Sequence, residues 1–191
     1  MRLLAAILLL TLSAGCSLTP HQVENPTPQQ NRAVVFDIDG TLTSKIHAIR
    51  TAREGAPQAV QAFADGGFHI IYLSARTPLL QFHIPHWMDQ HGFPPGSIHV
   101  TESREDRRDH KGFKQRVLEA YRARGWTFVA AYGDSSTDFA AYEAAGITPE
   151  RIFALQRRGE SNCEPGTWSG CHESWPEQMG IINGLIQKAP R

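Results

Sequence analysis

The sequence predicts a three-layer α/β domain: a parallel sheet with helices on both faces. Short apolar or β-branched runs alternate with helical patterns between residues 33 and 155. That alternation builds parallel strands joined by right-handed helical crossovers. Three of those runs end in polar residues that carry chemistry: Asp37-Ile38-Asp39, Ser74, and Asp134. In open α/β sheets ligands bind outside the carboxyl ends of the strands.

The first strand is expected over residues 33–38, where Val34, Val35 and Phe36 form an apolar run. Pro57 opens a helix to about residue 65, with Ala59, Val60 and Phe63 on one face, and Gly66-Gly67 ends it. Residues 68–73 are β-branched and aromatic and read as the second strand. A helix is expected over residues 78–91, with Leu79, Phe82 and Trp87 in the core and Pro85 disturbing it. Ile98 to Val100 is a short strand, and residues 111–124 are a helix that stops at Gly125. Residues 128–132 and 151–155 are further strands, with a helix over 136–145 between them. Residues 159–176 read as a long irregular loop, and 175–188 as a terminal amphipathic helix. Residues 33–191 suit one domain.

Nineteen basic residues balance nineteen acidic ones. That balance excludes the basic footprint of a nucleic-acid binder. The mixed-sign run Arg104 to Lys111 reads as a solvated loop entering a helix. His69, His83, His86, His91 and His99 show no metal-ligand spacing.

At the start of the chain, Met1-Arg2 is positive and residues 3–12 are apolar, too short to span a bilayer. With Leu12-Ser13-Ala14-Gly15-Cys16, the segment resembles a bacterial lipoprotein signal. The resemblance implies cleavage before Cys16, lipidation of Cys16, and a membrane anchor on the periplasmic face of the outer membrane. Residues 16–32 carry Pro20, Pro26 and Pro28 among polar residues and read as a flexible tether.

Four segments converge by topology: Asp37-Ile38-Asp39-Gly40-Thr41, Leu73-Ser74-Ala75-Arg76, a helix-start lysine at Lys111 or Lys114, and Gly133-Asp134 through Asp138. Together they resemble the four motifs of the haloacid-dehalogenase-like (HAD) hydrolases. Residues 33–160 are also similar to the catalytic domain of lipin phosphatidate phosphatases and its relatives at the C-terminus of phosphatidylinositol-transfer proteins. Ser44-Lys45 departs from those relatives, which place an aspartate there.

The resemblance implies Mg2+-dependent phosphomonoester hydrolysis. Asp37 is the expected nucleophile, forming an aspartyl-phosphate. Asp39 is the expected general acid and then base; a second aspartate at that position marks phosphoryl chemistry rather than dehalogenation. The expected metal residues are Asp37, Asp134 and Asp39 through its carbonyl, with Asp138 behind them. Ser74 is expected to donate to a phosphate oxygen, and Thr41 and Arg76 to contact substrate. Lys111 and Lys114 compete to orient Asp37, and Lys111, at the helix start, is the first choice.

No inserted cap domain fits between the motifs, so the mouth is expected to be open. Phosphatidate or another lipid phosphate is the first substrate class. A broad-specificity or nucleotide acid phosphatase is the alternative, and a non-catalytic phospholipid-binding module is the reading of a different class. Within residues 79–88 the apolar side chains either fill the core or form a lip at the mouth. Cys163 and Cys171 favour a disulfide in an exported chain; a zinc site with His172, or free thiols, are the alternatives.

Overall fold

The computed structural model describes residues 23–44 and 50–188. The strands are β1 (Arg32–Asp37), β2 (His69–Ser74), β3 (Ser97–Val100), β4 (Thr127–Gly133), β5 (Ile152–Leu155) and β6 (Gly170–His172). They form one sheet in the order β3-β2-β1-β4-β5-β6, every pairing parallel. The helices are α1 (Ala56–Asp65), α2 (Pro78–Gln81), α3 (Ile84–His91), α4 (His110–Ala123), α5 (Ser136–Ala144) and α6 (Trp175–Lys188). This is the expected three-layer α/β architecture, and no domain is inserted between the described strands.

Both faces of the sheet are buried, as the apolar strands require. Val34 and Phe36 point into a core shared with α1, α3 and α6. Ala33 and Val35, one residue out of phase, point into a second core with α4 and α5. The first core is built around aromatic rings. Phe36 stacks on Tyr132 at 5.2 Å between centroids, Tyr132 stacks on Phe153 at 5.1 Å, and Trp175 leans on Tyr132 at 5.1 Å. A buried indole needs an acceptor, and Trp175 Nε1 finds it in the Thr41 carbonyl at 3.0 Å.

Three expectations are corrected. The helix over 78–91 is two helices, α2 and α3, because Pro85 starts the second rather than bending the first; its fixed φ suits the opening turn. The break turns Leu79 and Phe82 outward, at 77% and 66% exposure, although both were expected in the core. Ile84 and Trp87 are buried. Second, residues 159–176 are not wholly irregular: they carry β6, which extends the sheet beside β5. Third, the ordered fold begins before Arg32. Val23 is buried against the second core, and Trp126 Nε1 donates to the Glu24 carbonyl at 2.8 Å. The proline-rich composition hid this because one apolar side chain and one carbonyl suffice for the docking. The signal and Cys16 lie outside the described residues.

The split of the 78–91 segment gives an expected pair of outcomes in urea melts. Ile84→Ala lowers unfolding stability by about 2–5 kcal/mol, as for a buried aliphatic truncation. Leu79→Ser stays within about 0.5 kcal/mol of wild type, as at an exposed position.

Candidate active site

The sheet runs outward in two directions from its centre: β1 to β2 to β3 on one side, β4 to β5 to β6 on the other. The crevice at the carboxyl ends of β1 and β4 is therefore the topological switch point. A cavity of about 320 Å³ opens there, lined in part by Asp37, Asp39, Arg76, Lys114, Asp134 and Asp138.

Asp37 is the last residue of β1 and is buried. Lys114 reaches it from α4, with Nζ donating to Asp37 Oδ1 at 2.5 Å. The same ammonium also pairs with Asp138 Oδ1. Both Asp138 oxygens are engaged, because its Oδ2 accepts from the Ser135 hydroxyl at 2.7 Å in the capping box that starts α5. Asp134 Oδ2 accepts from Arg157 Nε at 2.7 Å. Asp39 is held on both oxygens, by the Ser74 hydroxyl at 2.7 Å and by Arg76 Nε at 2.6 Å. Asp37 Oδ2 is buried without a partner, as are the two terminal nitrogens of Arg76.

Gly40 lets these carboxylates approach. Its φ is +83°, and a Cβ there would run into the Asp134 carboxylate. The turn is braced on both sides. Gly40 N donates to Thr43 Oγ1 at 2.9 Å, and Arg53 donates to the Gly40 carbonyl at 3.1 Å.

Burial is the largest influence on the titrating groups. It raises the Asp37 carboxyl well above the usual range against the opposing pull of Lys114, with Asp138, Asp134 and Asp39 adding to the rise. Burial and Asp138 push Asp134 up to about 6, opposed by Arg157 and Lys114. Burial works against the Lys114 charge, but Asp138 and Asp37 outweigh it and hold the ammonium above its ordinary value.

Asp37, Asp134 and Asp138 each offer an oxygen within 4.8 Å of the others. Crowded carboxylates are the donor set of a hard divalent cation. The Asp37 carboxylate fits such an ion, since Oδ1 keeps a lone pair beyond the one Lys114 takes and Oδ2 is unpartnered, so that one oxygen can ligate while the other stays free. Asp138 is committed to Lys114 and Ser135, so Asp37 and Asp134 are the side chains with room for direct ligation. The Asp39 carboxylate lines the crevice outside that cluster, held by Ser74 and Arg76, so the metal role expected of Asp39 falls to its main-chain carbonyl.

Several sequence expectations need correcting on placement. Lys111 is exposed in the first turn of α4, whereas Lys114 lies on the buried face with Phe113, Val117, Leu118 and Tyr121. Lys111 is one turn nearer the open end of the helix and does not meet Asp37. The Ser74 hydroxyl, expected to donate to a phosphate oxygen, here donates to Asp39 Oδ2. Thr41 is fully buried and does not line the crevice; its carbonyl receives the Trp175 indole. The disulfide favoured for Cys163 and Cys171 is present, which removes the alternatives of free thiols and a metal site. Arg157 was missed. The available signal was its place just past the carboxyl end of β5, where the other site residues also stand.

Residues 34–156 match the model of the family described as PITM 1-3, LNS2 domain. The chain belongs to the LNS2 domain family. Membrane-associated phosphatidylinositol transfer protein 1 of Rattus norvegicus is 29% identical over 130 residues, covering 65% of this chain and 10% of that protein. Protein retinal degeneration B of Drosophila melanogaster is 29% identical over 137 residues, 70% of this chain and 11% of that protein. The chain thus spans about a tenth of the length of these LNS2 relatives. Among solved structures, the D,D-heptose 1,7-bisphosphate phosphatase of B. bronchiseptica, complexed with magnesium and phosphate, superposes with a TM-score of 0.58 at 17% identity. That match covers 83% of this chain and 99% of the other. At this identity the likeness establishes the capless HAD-like fold.

These comparisons correct the expected location. A bacterial, periplasmic, lipid-anchored protein was expected, but the matching LNS2 relatives are transfer proteins of rat, mouse, human and fly. The N-terminal pattern rested on a short apolar run, a few small residues and one cysteine, far less information than the LNS2 match over residues 34–156. Anchoring through Cys16 finds no support in the comparisons. No helix among the described residues is long and apolar enough to cross a membrane.

Two outcomes follow from this LNS2 site. Lys114→Ala lowers kcat on a soluble phosphate ester by about 10²–10³-fold, the usual loss of a charge stabiliser, while Lys111→Ala stays within about twofold as at a surface position. The second concerns pH in the metal-free protein. Asp134 binds its proton more tightly folded than unfolded, so its contribution to stability falls as pH rises from about 4 to about 6. Urea midpoints show that decline, Asp134→Asn removes part of it, and added Mg2+ offsets it.

Proposed function

We propose that this domain is a Mg2+-dependent phosphomonoester phosphatase that works through an aspartyl-phosphate on Asp37. The carrying observation is the asymmetry of the Asp37 carboxylate: Oδ1 is pinned by Lys114, and Oδ2 is bare in the crevice. A fixed carboxylate with one free oxygen is an oriented nucleophile.

Oδ2 attacks phosphorus, the Asp37–phosphorus bond forms, and the ester oxygen leaves with a proton from Asp39. Asp39 then takes a proton from water as that water attacks phosphorus, and inorganic phosphate departs while Asp37 is regenerated. Lys114 stays charged throughout and counters the negative charge that builds at Asp37. Arg76 and Ser74 set the position of Asp39 before the proton moves. Asp37, Asp134 and the Asp39 carbonyl would hold a divalent cation, which would supply neutralisation of the phosphoryl charge.

For the substrate we take a lipid phosphate as the first reading. The crevice has no inserted cap, Leu80 lines it, and the exposed Leu79 and Phe82 stand on the same short segment. The relatives named for phosphatidylinositol transfer point to the same class. The intact Asp37 and Asp39 pair counts against a purely phospholipid-binding module.

The test is a panel of phosphate esters with Mg2+ or with EDTA, including phosphatidate in mixed micelles, nucleotides and an aryl phosphate. Mg2+-dependent release of phosphate is expected, fastest on phosphatidate. Asp37→Asn is expected to lower it by about a thousandfold or more. Turnover that persists in EDTA or in Asp37→Asn overturns the mechanism, and preference for nucleotides overturns the substrate class.

A further inference from the structure

Arg157 stands on the chain just beyond β5, and its guanidinium is shared between two acids. Nε donates to Asp134 Oδ2 at 2.7 Å, and one terminal nitrogen donates to Glu164 Oε1 at 2.5 Å. Glu164 directly follows Cys163, whose disulfide to Cys171 ties this loop to β6. The loop is fixed at further points. The Trp168 indole donates to the Glu164 carbonyl at 3.3 Å, Gly166 lies against the Phe139 ring of α5, and Cys163 and Trp168 pack on the second core. Glu164 therefore sits on a strap closed covalently and packed on the body of the domain.

The Asp134 carboxylate is also packed against the backbone of Gly40, closest at the same Oδ2. Gly40 and Arg157 together limit how Asp134 can turn, with one oxygen committed. Part of the Arg157 charge is met by Glu164, through a different nitrogen from the one that donates to Asp134. That arrangement suits a residue that aims a ligand better than one that replaces a cation.

We propose that Arg157 is a positioning residue that orients Asp134 for divalent-cation binding, and that the Cys163–Cys171 strap holds Arg157 in place through Glu164. This inference rests on the phosphatase reading, because it assigns Asp134 to the cation. Partners behind a ligand that fix its orientation typically govern affinity by ten- to a hundredfold.

The experiment measures Mn2+ affinity by calorimetry on the full chain without substrate, for wild type, Arg157→Ala, Arg157→Lys, Glu164→Gln and the double variant Cys163→Ser/Cys171→Ser. Arg157→Ala is expected to weaken Mn2+ by about tenfold, with Arg157→Lys recovering part of the loss. Glu164→Gln and the double serine variant are expected to weaken it in the same direction. Glu164→Gln keeps a wild-type thermal melt, which separates a lost orientation from a lost fold. In turnover, the Mn2+ concentration for half activity moves further than kcat at saturating Mn2+, a split that general loosening does not produce. Unchanged or tighter Mn2+ binding by Arg157→Ala overturns the positioning role. Wild-type affinity in both the folded Glu164→Gln and the double serine variant overturns the strap. A wild-type chain that binds no Mn2+ and hydrolyses nothing overturns the phosphatase reading and this inference with it, whereas a competent wild type with unchanged variants removes this inference alone.

Discussion

The Lys114 ammonium, buried between Asp37 and Asp138, is the constraint on which the rest of the site depends. Two carboxylates buried this close together are tolerated only with a cation between them. The ammonium must therefore arrive from α4 at a defined depth, and α4 must be seated by Phe113, Val117 and Tyr121 before it can. Asp138 must likewise be drawn toward Lys114 by the start of α5, which the capping box with Ser135 accomplishes. One ion triad thus couples the strand β1, two helices and the Gly133–Asp138 turn. Removing Lys114 would leave two buried carboxylates facing each other without a cation rather than a vacant contact.

Around that triad each acid has its own basic or hydroxyl partner: Asp39 has Arg76 and Ser74, and Asp134 has Arg157. The partners come from different strand ends, and each takes up a particular oxygen. Without them the aspartates would repel one another and splay toward water. The crowding is made possible by a backbone detail, the positive φ of Gly40, which lets the first motif lie directly on the Asp134 carboxylate. Electrostatics and sterics are therefore solved at the same place.

Much of this was legible in the sequence. Asp37, Ser74 and Asp134 could be placed because strand ends are marked by the switch from apolar to polar residues, and a parallel sheet gathers such ends on one side. The choice between Lys111 and Lys114 was not legible in the same way. It depends on how α4 is rotated on the sheet, and the packing of Phe113 and Tyr121 against Ile71 and Leu73 decides that, not any local signal. Leu79 and Phe82 misled because apolar character says that a residue favours burial, not that the chain can deliver it there. β6 has only Gly170, Cys171 and His172, too few residues for an alternating pattern. Arg157, next to Arg158, resembled an ordinary solvated charge pair until Asp134 and Glu164 were found on either side of it. The N-terminal pattern failed for a different reason, since a handful of small and apolar residues carries little information on its own.

The indole of Trp175 joins residues 134 positions apart, seating the start of α6 on the carbonyl of Thr41. That distance in sequence has a consequence for the order of assembly. The strand bearing Asp37 and the loop that follows it emerge early from synthesis, yet the wall that closes the loop belongs to the last helix. Every acid and base of the crevice can be translated, and much of the sheet paired, while the Asp39–Thr43 turn still lacks its backing. The turn gains this backing only when the final helix docks, and a chain interrupted before Trp175 would hold the full complement of acids and bases on a loop without it.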